Sequence, residues 1–157
     1  MADARVTSPN PGNPADARVD GSDLITDIEF LVARVRALGS RAANGALAPL
    51  GLRVRQYAVL SLACGSISPT QRDLAEFLEL DPSQVVAVID DLQASGLVER
   101  TQDPRDRRVN IVQATPHGRS VYAEARVAIA AAREQSLHKL TTEERATLTE
   151  LLLRVAF

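Results

Sequence analysis

The sequence predicts a mainly α protein with one small β-hairpin, and three observations support that fold class. Residues 97–115 have the pattern of two short strands around a tip that holds Arg105, Arg107 and Arg108. Two short helical patterns separated by a tight link precede this hairpin, and a Thr-Pro pair begins a long helix after it. This is the layout of a winged helix-turn-helix lobe, in which the hairpin is the wing. Double-stranded DNA is therefore the first partner to consider.

The composition suits one compact domain with helical appendages. The chain has 157 residues, of which 45% are hydrophobic, and aliphatic side chains must form the core because there is no Trp. No apolar run approaches the ~20 residues of a membrane span, and the first residues lack the apolar stretch of a secretory signal. The single cysteine excludes an internal disulfide. We therefore expect a cytoplasmic protein with no membrane partner.

The chain is predicted to consist of a tail and one domain. Residues 1–21 combine prolines, glycines and asparagines with hardly any large apolar side chain, so they should form a mobile N-terminal tail. Residues 22–157 should form a single domain whose winged helix-turn-helix lobe spans about 53–115. The helices within 22–45 and 116–157 exceed what such a lobe needs, and we expect them to be dimerisation helices.

The first helix is predicted to begin near Ser22, its expected N-cap, and to carry a heptad seam, which would pack against other helices, those of a second chain included. Its apolar positions are spaced by four, three, four, three and four residues: Leu24, Ile28, Leu31, Val35, Leu38 and Ala42. Gly45 and the Pro-Leu-Gly turn at 49–51 should end this helix. A second, largely buried helix is predicted from Arg53 to Ala63.

Two capped helices follow and form the predicted helix-turn-helix. In the first, Ser68 is the expected N-cap, with Pro69 at the first helical position and Gln71 at the third. In the second, Asp81 is the expected N-cap, and Gly96 ends the helix. The face that this second helix should bury consists of Val85, Ile89 and Leu92.

Two further helices are predicted after the wing. Thr115 and Pro116 begin one that continues to about Leu137, and Thr141 with Glu144 forms a capping box that begins the last. Their apolar positions recur at helical spacing, which packing within a dimer explains best.

Charge is unevenly distributed along the chain, although the net charge is only −2. Residues 30–72 hold six arginines and no acid, whereas residues 73–98 hold six acids and no base. A basic stretch and a basic wing therefore flank an acidic middle, which opposes contact with phosphate. This leaves one alternative open, a winged-helix module that binds proteins and not DNA. DNA binding that weakens steeply with salt would exclude it.

Five local segments form a series that is specific in its order and spacing. They are Gly51-Leu52 with Gln56-Tyr57-Ala58-Val59-Leu60, Gln71-Arg72-Asp73-Leu74-Ala75, Asp81-Pro82-Ser83-Gln84-Val85-Val86 with Asp90-Asp91-Leu92, Gly96-Leu97-Val98-Glu99-Arg100, and Asp103-Pro104-Arg105-Asp106-Arg107-Arg108 followed by Thr115-Pro116-His117-Gly118. This series resembles the MarR (multiple antibiotic resistance regulator) family of bacterial transcription regulators, over roughly residues 23–155. The resemblance implies a homodimer that binds a pseudo-palindromic operator, usually as a repressor. It also implies a small-molecule effector, often aromatic, in a cleft between the lobe and the dimer helices.

The resemblance places the helix that begins after Asp81 in the major groove, with its N-terminal residues nearest the bases. Ser83 and Gln84 lie there, and Gln can bond adenine through two hydrogen bonds. Val86 and Ala87 face outward on the same surface and are expected to touch thymine methyl groups.

Other side chains are expected to meet the DNA backbone and the minor groove. Gln71 and Arg72 should contact phosphate. At the wing tip, Arg107 should enter the minor groove, where A·T-rich sequence concentrates negative potential. Arg105 and Arg108 flank it in the sequence, and Asp103 and Asp106 are expected to brace Arg105 or Arg108 and to hold the hairpin rigid. The alternative for such arginines is a solvated, salt-bridged turn.

The chain departs from the family pattern at Ala87 and Asp91, where many relatives carry a base. Asp90 and Asp91 would repel phosphate if they faced it, so we expect them to face solvent or to pair with arginines from residues 30–72. The departure puts a base-specific contact by Ala87 in doubt and predicts weaker, wing-dependent binding.

A candidate effector site lies at the start of the second helix. Arg53, Arg55 and Tyr57 combine cations with a phenol, which suits an anionic aromatic ligand beside the cleft of the family. The alternative is that Tyr57 belongs to the core and that both arginines pair with acids such as Asp27 or Glu29.

Other chemistry finds little support in the sequence. Cys64 is a candidate redox thiol, but it ends an apolar run, and a buried, inert thiol is favoured. His117 and His138 are 21 residues apart and have no cluster of acids or cysteines beside them, so we expect no metal. There is no phosphate-binding glycine loop and no nucleophile elbow, so we predict neither an enzyme nor a cofactor.

Overall fold

The structure is a computed structural model that describes residues 22–104 and 106–157. Its α-helices are α1 (Ile28–Leu47), α2 (Val54–Ala63), α3 (Gln71–Leu78), α4 (Pro82–Ala94), α5 (Pro116–Ser136) and α6 (Thr142–Ala156). Its strands are β1 (Val98–Gln102) and β2 (Asn110–Ala114), and 3-10 turns span Asp23–Thr26 and Ala48–Leu50. The predicted fold class, mainly α with one small hairpin, is confirmed. The predicted mobility of residues 1–21 and the predicted role of Arg105 lie outside the described residues.

The chain divides into two compact units, and the first ends at Leu38. In this unit Ser22 caps only a 3-10 turn, because Asp27 then adopts an extended backbone. The Oδ1 atom of Asp27 accepts a hydrogen bond of 2.7 Å from the N–H of Phe30, so Asp27 caps α1. The prediction that Ser22 is the N-cap of the first α-helix is therefore wrong by five residues. The apolar seam of this unit is exposed in the single chain at Leu24, Ile28, Leu31, Val35 and Leu38.

The second unit, Gly39–Phe157, contains the core. Its largest fully buried side chains are Leu47, Leu60, Leu74, Ile89, Leu92, Val59, Val85, Val98 and Val112. Helix α2 packs against α4 and α5, α3 packs against α4, and β1 packs against α4. The predicted buried face of the second helix-turn-helix element, on α4, is confirmed. The core is thus the aliphatic one that the composition requires.

The end of α1 differs from the prediction. Gly45 does not end the helix, which continues to Leu47, whose side chain is buried. A 3-10 turn then leads to Gly51, whose positive φ of 67° favours glycine. The side chain of Asn44 accepts a hydrogen bond of 2.9 Å from the N–H of Val54. This bond joins the end of α1 to the start of α2.

The start of α3 also differs from the prediction. The N-cap is Thr70, not Ser68, and it forms a capping box with Asp73. Pro69 cannot be the first helical residue because its carbonyl accepts a hydrogen bond of 2.8 Å from the N–H of Val112. Thr70 bridges Ile111 in the same extended stretch. Pairing with the wing therefore delays the helix by two residues.

The remaining helix starts are confirmed. Asp81 caps α4, Thr115 caps α5, and Thr141 with Glu144 forms the capping box of α6. The wing is the antiparallel pair β1–β2, in register from Val98 opposite Ala114 to Gln102 opposite Asn110. In the part of the chain that the structure covers, no helix is long and apolar enough to cross a membrane.

Candidate nucleic-acid interface

Helix α4, the predicted recognition helix, presents one face to solvent and buries the other. Val85 and Ile89 are fully buried, so the helix is held against the core from behind. Ser83, Gln84, Val86 and Ala87 are all exposed on the opposite side. The structure thus brings the four predicted base-reading residues together on one accessible surface, as a major-groove helix requires.

The N-terminus of the recognition helix already carries an anionic cap. Asp81 Oδ1 accepts hydrogen bonds from the backbone N–H of Ser83 at 2.8 Å and from its hydroxyl at 2.6 Å. These bonds lower the pKa of Asp81 below the ordinary value for a carboxyl group. The hydroxyl of Ser83 is therefore used as a donor within the protein. Towards a base it remains an acceptor.

Gln71 and Arg72 lie in the first turn of α3. Gln71 is half-buried, whereas Arg72 is exposed and pairs with Glu76 at 2.7 Å. Both partners of this pair are largely in solvent, so the pair contributes little to stability. Arg72 can exchange Glu76 for a phosphate at small cost.

The tip of the wing holds Arg107 and Arg108 in exposed positions. The N–H of Asp103 donates to the carbonyl of Val109 at 2.8 Å, which closes the turn, and Asp103 itself is buried. Asp106 Oδ1 accepts from the backbone N–H of Arg108 at 3.0 Å. This carboxylate thus stabilises the turn through the backbone. That Asp103 and Asp106 brace Arg105 or Arg108 stays a prediction, since Arg105 lies outside the described residues.

The two neighbouring acids of this helix, Asp90 and Asp91, have different surroundings. Asp91 is exposed to solvent, as expected. Asp90 forms an ion pair of 2.5 Å with Arg100 on β1. Asp90 is exposed, as one of the two expected outcomes had it, but the arginine that pairs with it comes from β1 and not from residues 30–72. The sequence holds the signal, since Arg100 is the first base after the acidic segment.

A second cluster lies between α2 and α5. The rings of Tyr57 and Tyr122 lie 5.7 Å apart between centroids, and the hydroxyls of Ser61 and Tyr122 are 2.8 Å apart. The guanidinium carbon of Arg126 lies 5.9 Å from the centre of the Tyr122 ring, within range of a cation–π contact. Burial, together with Tyr122, raises the pKa of Tyr57, so its phenol stays protonated at neutral pH.

The sequence prediction found only part of this cluster. It selected Tyr57 but missed Ser61, Tyr122 and Arg126. Tyr57 with Ser61 on α2 and Tyr122 with Arg126 on α5 are both i, i+4 pairs, and this spacing was the available signal. Arg53 and Arg55 are exposed at the start of α2. Tyr57 itself is half-buried and packs at the edge of the core.

Three comparisons identify relatives of the chain. A model of the MarR family matches residues 52–109. The multiple antibiotic resistance protein MarR of Salmonella typhimurium is 32% identical over 140 residues, which cover 85% of this chain and 96% of that protein. The chain belongs to the MarR family. These findings confirm the resemblance that the sequence motifs indicated, and the relatives are transcription regulators and not enzymes.

Solved structures of MarR-family proteins share the fold. CouR from Rhodococcus jostii RHA1, bound to p-coumaroyl-CoA, is 39% identical with a TM-score of 0.80, and the match covers 87% of this chain and 96% of that one. A cysteine-to-serine mutant of Escherichia coli MarR, complexed with operator DNA, is 28% identical with a TM-score of 0.72, and the match covers 82% of this chain and 92% of that one. The chain is thus a DNA-binding transcription regulator with the winged-helix fold of the family.

The lone thiol of this MarR-family protein is poorly placed for redox chemistry. Cys64 is half-buried at the end of α2, and burial raises its pKa despite the nearby charge of Arg119. Arg119 donates a hydrogen bond of 3.0 Å to the Cys64 carbonyl and not to its sulfur. Within residues 22–104 and 106–157, no three His, Cys, Asp or Glu side chains lie close enough to hold a metal ion.

Proposed function

We propose that this MarR-family protein is a homodimeric repressor in the cytoplasm, and that its recognition helix and wing read a pseudo-palindromic operator. One observation carries the proposal: a helix buried along one side exposes Ser83, Gln84, Val86 and Ala87 on the other, beside an exposed wing tip with Arg107 and Arg108. The operator complex of Escherichia coli MarR supports it.

We assign base contacts in the major groove to the recognition helix. The amide of Gln84 pairs with adenine. The hydroxyl of Ser83 already donates its hydrogen to Asp81 Oδ1, so towards a base it accepts a hydrogen bond. The methyl groups of Val86 and Ala87 touch thymine methyls. These contacts are few and uncharged, so sequence preference is modest and much of the affinity comes from the backbone contacts.

We assign backbone and minor-groove contacts to arginines on either side of the recognition helix. Arg72, with Gln71 beside it, binds phosphate after releasing Glu76. Arg107 inserts into the minor groove, and Arg105 and Arg108 bind the flanking phosphates. These cations lie outside the acidic segment 73–98, so its charge does not prevent binding.

We propose that the exposed seam of residues 22–45 and the helices of 116–157 form the dimer around lobes of about 53–115. Helix α6 and the residue that follows it expose a further apolar group, Leu151, Leu152, Leu153, Val155 and Phe157. Apolar patches of this extent mark interaction surfaces. A two-fold dimer would place the recognition helices about 34 Å apart, one turn of DNA.

We propose an anionic aromatic effector that binds near Tyr57, either a free aromatic acid or its CoA thioester. The tilted rings of Tyr57 and Tyr122 supply aromatic surface, and Arg126 lies over the Tyr122 ring. Arg53 and Arg55 supply further positive charge from the start of α2. The complex of CouR with p-coumaroyl-CoA supports this ligand class. Binding shifts the separation of the two lobes, and a coupling of ~1–3 kcal/mol suffices to release DNA.

The proposed function is tested with DNA selected by the purified protein from a random-sequence pool. We expect the selected duplex to be pseudo-palindromic and its affinity to fall steeply between low and moderate salt. p-Coumarate and p-coumaroyl-CoA are then titrated into the complex, and release by either supports the effector assignment. A protein that selects no sequence, or that is monomeric at the concentrations used, contradicts the proposal.

A further inference from the structure

The side chain of Arg100 joins the wing to the recognition helix through two partners. One terminal nitrogen donates to Asp90 Oδ1 at 2.5 Å and the other to Gln93 Oε1 at 2.5 Å. Asp90 and Gln93 are three residues apart on α4, so the planar guanidinium spans almost one helical turn. A fork with two fixed anchors restrains both the position and the rotation of the helix relative to β1.

The burial pattern of β1 explains why Arg100 points at the helix. Val98 and Arg100 alternate with exposed Glu99, so their side chains lie on the face that packs on the lobe. Only 23% of the Arg100 side chain is exposed, whereas 60% of the Asp90 side chain is. The cation is therefore partly sheltered, and it reaches out to a carboxylate near the DNA-facing surface.

Asp90 lies close to the base-reading residues. It follows Val86 by four positions, so the two side chains are neighbours on one face of the helix, about 5–6 Å apart at Cβ. Helix α4 contains Asp90 and Asp91 but no lysine or arginine. Without Arg100, the carboxylate of Asp90 would face phosphate with no cation on its own helix to offset it.

We infer that Arg100 is a positioning residue for DNA recognition, which holds the wing and recognition helix as one rigid unit and offsets the charge of Asp90. This inference rests on the proposed function. Arg100 would affect DNA binding through the positions of the wing and α4, without touching DNA itself. The turn of the wing closes at Asp103, three residues beyond Arg100, which is about 10 Å at ~3.3 Å per residue. A tilt of about 10° would therefore move the wing tip by about 2 Å, a third of the ~6 Å width of the minor groove.

The inference distinguishes specific from non-specific binding. The experiment measures the affinity of each variant for the duplex selected by the wild-type protein and for poly(dI-dC), across a series of salt concentrations. For Arg100→Gln we expect about a tenfold loss of affinity for the selected duplex, typical of a lost positioning contact. We expect a smaller loss for poly(dI-dC), caused only by the uncovered charge of Asp90, and an unchanged salt slope, because Arg100 neutralises no phosphate.

Two further variants separate geometry from charge. Arg100→Lys keeps the charge but not the fork, so we expect it to recover only part of the lost specificity. The double variant Asp90→Asn with Gln93→Leu keeps Arg100 but removes both anchors. It also removes a negative charge near the phosphates, so we expect tighter binding to poly(dI-dC) together with a lower ratio of specific to non-specific affinity. This opposite sign identifies the loss of positioning even if Arg100→Gln fails to fold.

The control is Lys139→Gln, which removes one exposed positive charge between α5 and α6. It should leave both affinities unchanged. An unchanged affinity ratio in the Arg100 and double variants would overturn the inference and leave the proposed function standing. So would equal losses on both duplexes with a salt slope reduced by about 0.9, the signature of a direct phosphate contact. A wild-type protein that binds neither duplex would overturn both.

Discussion

Gly118 passes so close to Leu97 that a Cβ atom at residue 118 would lie 1.9 Å from the Leu97 carbonyl oxygen. The same junction is held by Thr115, whose hydroxyl donates to the Gly96 carbonyl at 2.7 Å and accepts from the Gly118 N–H at 2.9 Å. The start of α5 is thus locked against the base of the wing. This contact explains the glycine of the Thr-Pro-His-Gly segment, which sequence reasoning used only as a family signature.

Replacing Gly118 with alanine should destabilise the protein severely. The new methyl group would overlap the backbone of Leu97, which cannot move away as a flexible side chain can. We therefore expect the free energy of unfolding to fall by at least about 3 kcal/mol. The measurement is urea unfolding followed by circular dichroism at one protein concentration, because dimerisation contributes to stability. Gly45→Ala is the control: in the single chain, a Cβ atom built there would meet nothing within 4 Å apart from its chain neighbours and the nearby backbone of its own helix. Removing that helical glycine should add about 0.5–1 kcal/mol.

Replacing Arg107 with alanine should weaken operator binding and its dependence on salt. The exposed guanidinium has no role in the fold, so stability should not change, while affinity should fall about tenfold or more. The slope of log affinity against log salt should decrease by about 0.9 for each wing. Fluorescence anisotropy titrations at several salt concentrations measure both quantities. Unchanged affinity would exclude the assigned role of the wing, and Lys139→Gln again serves as the charge-matched control.

Cys64 should react slowly with alkylating reagents in the folded protein. Because burial raises its pKa, less thiolate is present at a given pH than in an unfolded chain. We expect iodoacetamide to label the folded protein more slowly than the urea-unfolded protein at pH 8, with a rate profile shifted to higher pH. The chain has a single cysteine, so labelling reports this site alone. Labelling at equal or greater speed in the folded state would revive a thiol switch, as would a response to peroxide that Cys64→Ser abolishes.

The raised pKa of Tyr57 makes part of the stability depend on alkaline pH. The folded protein holds this phenol proton more tightly than the unfolded chain, whose tyrosines titrate near pH ~10. The contribution is therefore fully present below that pH and is lost as the pH rises through the folded-state value. Urea unfolding at pH 8 to 11 should show a steeper loss for the wild type than for Tyr57→Phe. Parallel curves would show that the ring environment of Tyr57 does not perturb its ionisation.

The sequence predicted the start of a helix correctly where a side chain close in sequence caps it. Asp81, Thr115 and Thr141 each have a side chain that accepts from a backbone N–H within the next three residues, and all three caps were predicted. Ser68 failed as a cap because the next two residues pair with β2 through Val112 and Ile111. That contact spans more than 40 residues of sequence, and no periodicity in the sequence encodes it.

In the candidate site too, the sequence predicted the features that depend on neighbouring residues and missed those that depend on contacts between elements. Exposure of Ser83, Gln84, Val86 and Ala87 followed from the helical spacing of the buried residues, which places the polar face opposite the core. The role of Arg100 did not follow, because its partners on α4 become neighbours only when β1 folds back along the helix. Tyr122 was missed for the same reason, since its contact with Ser61 joins residues 61 positions apart.

The locked junction between α5 and the wing has a consequence for the mutations that the wing tolerates. The bonds that secure the hairpin lie at Gly96, Leu97 and Thr115, whereas Arg107 and Arg108 project into solvent at the far end. With the wing contacts proposed above, point mutations at the far end should change the affinity for DNA without cost to folding. Mutations at the base should instead reduce the stability of the lobe.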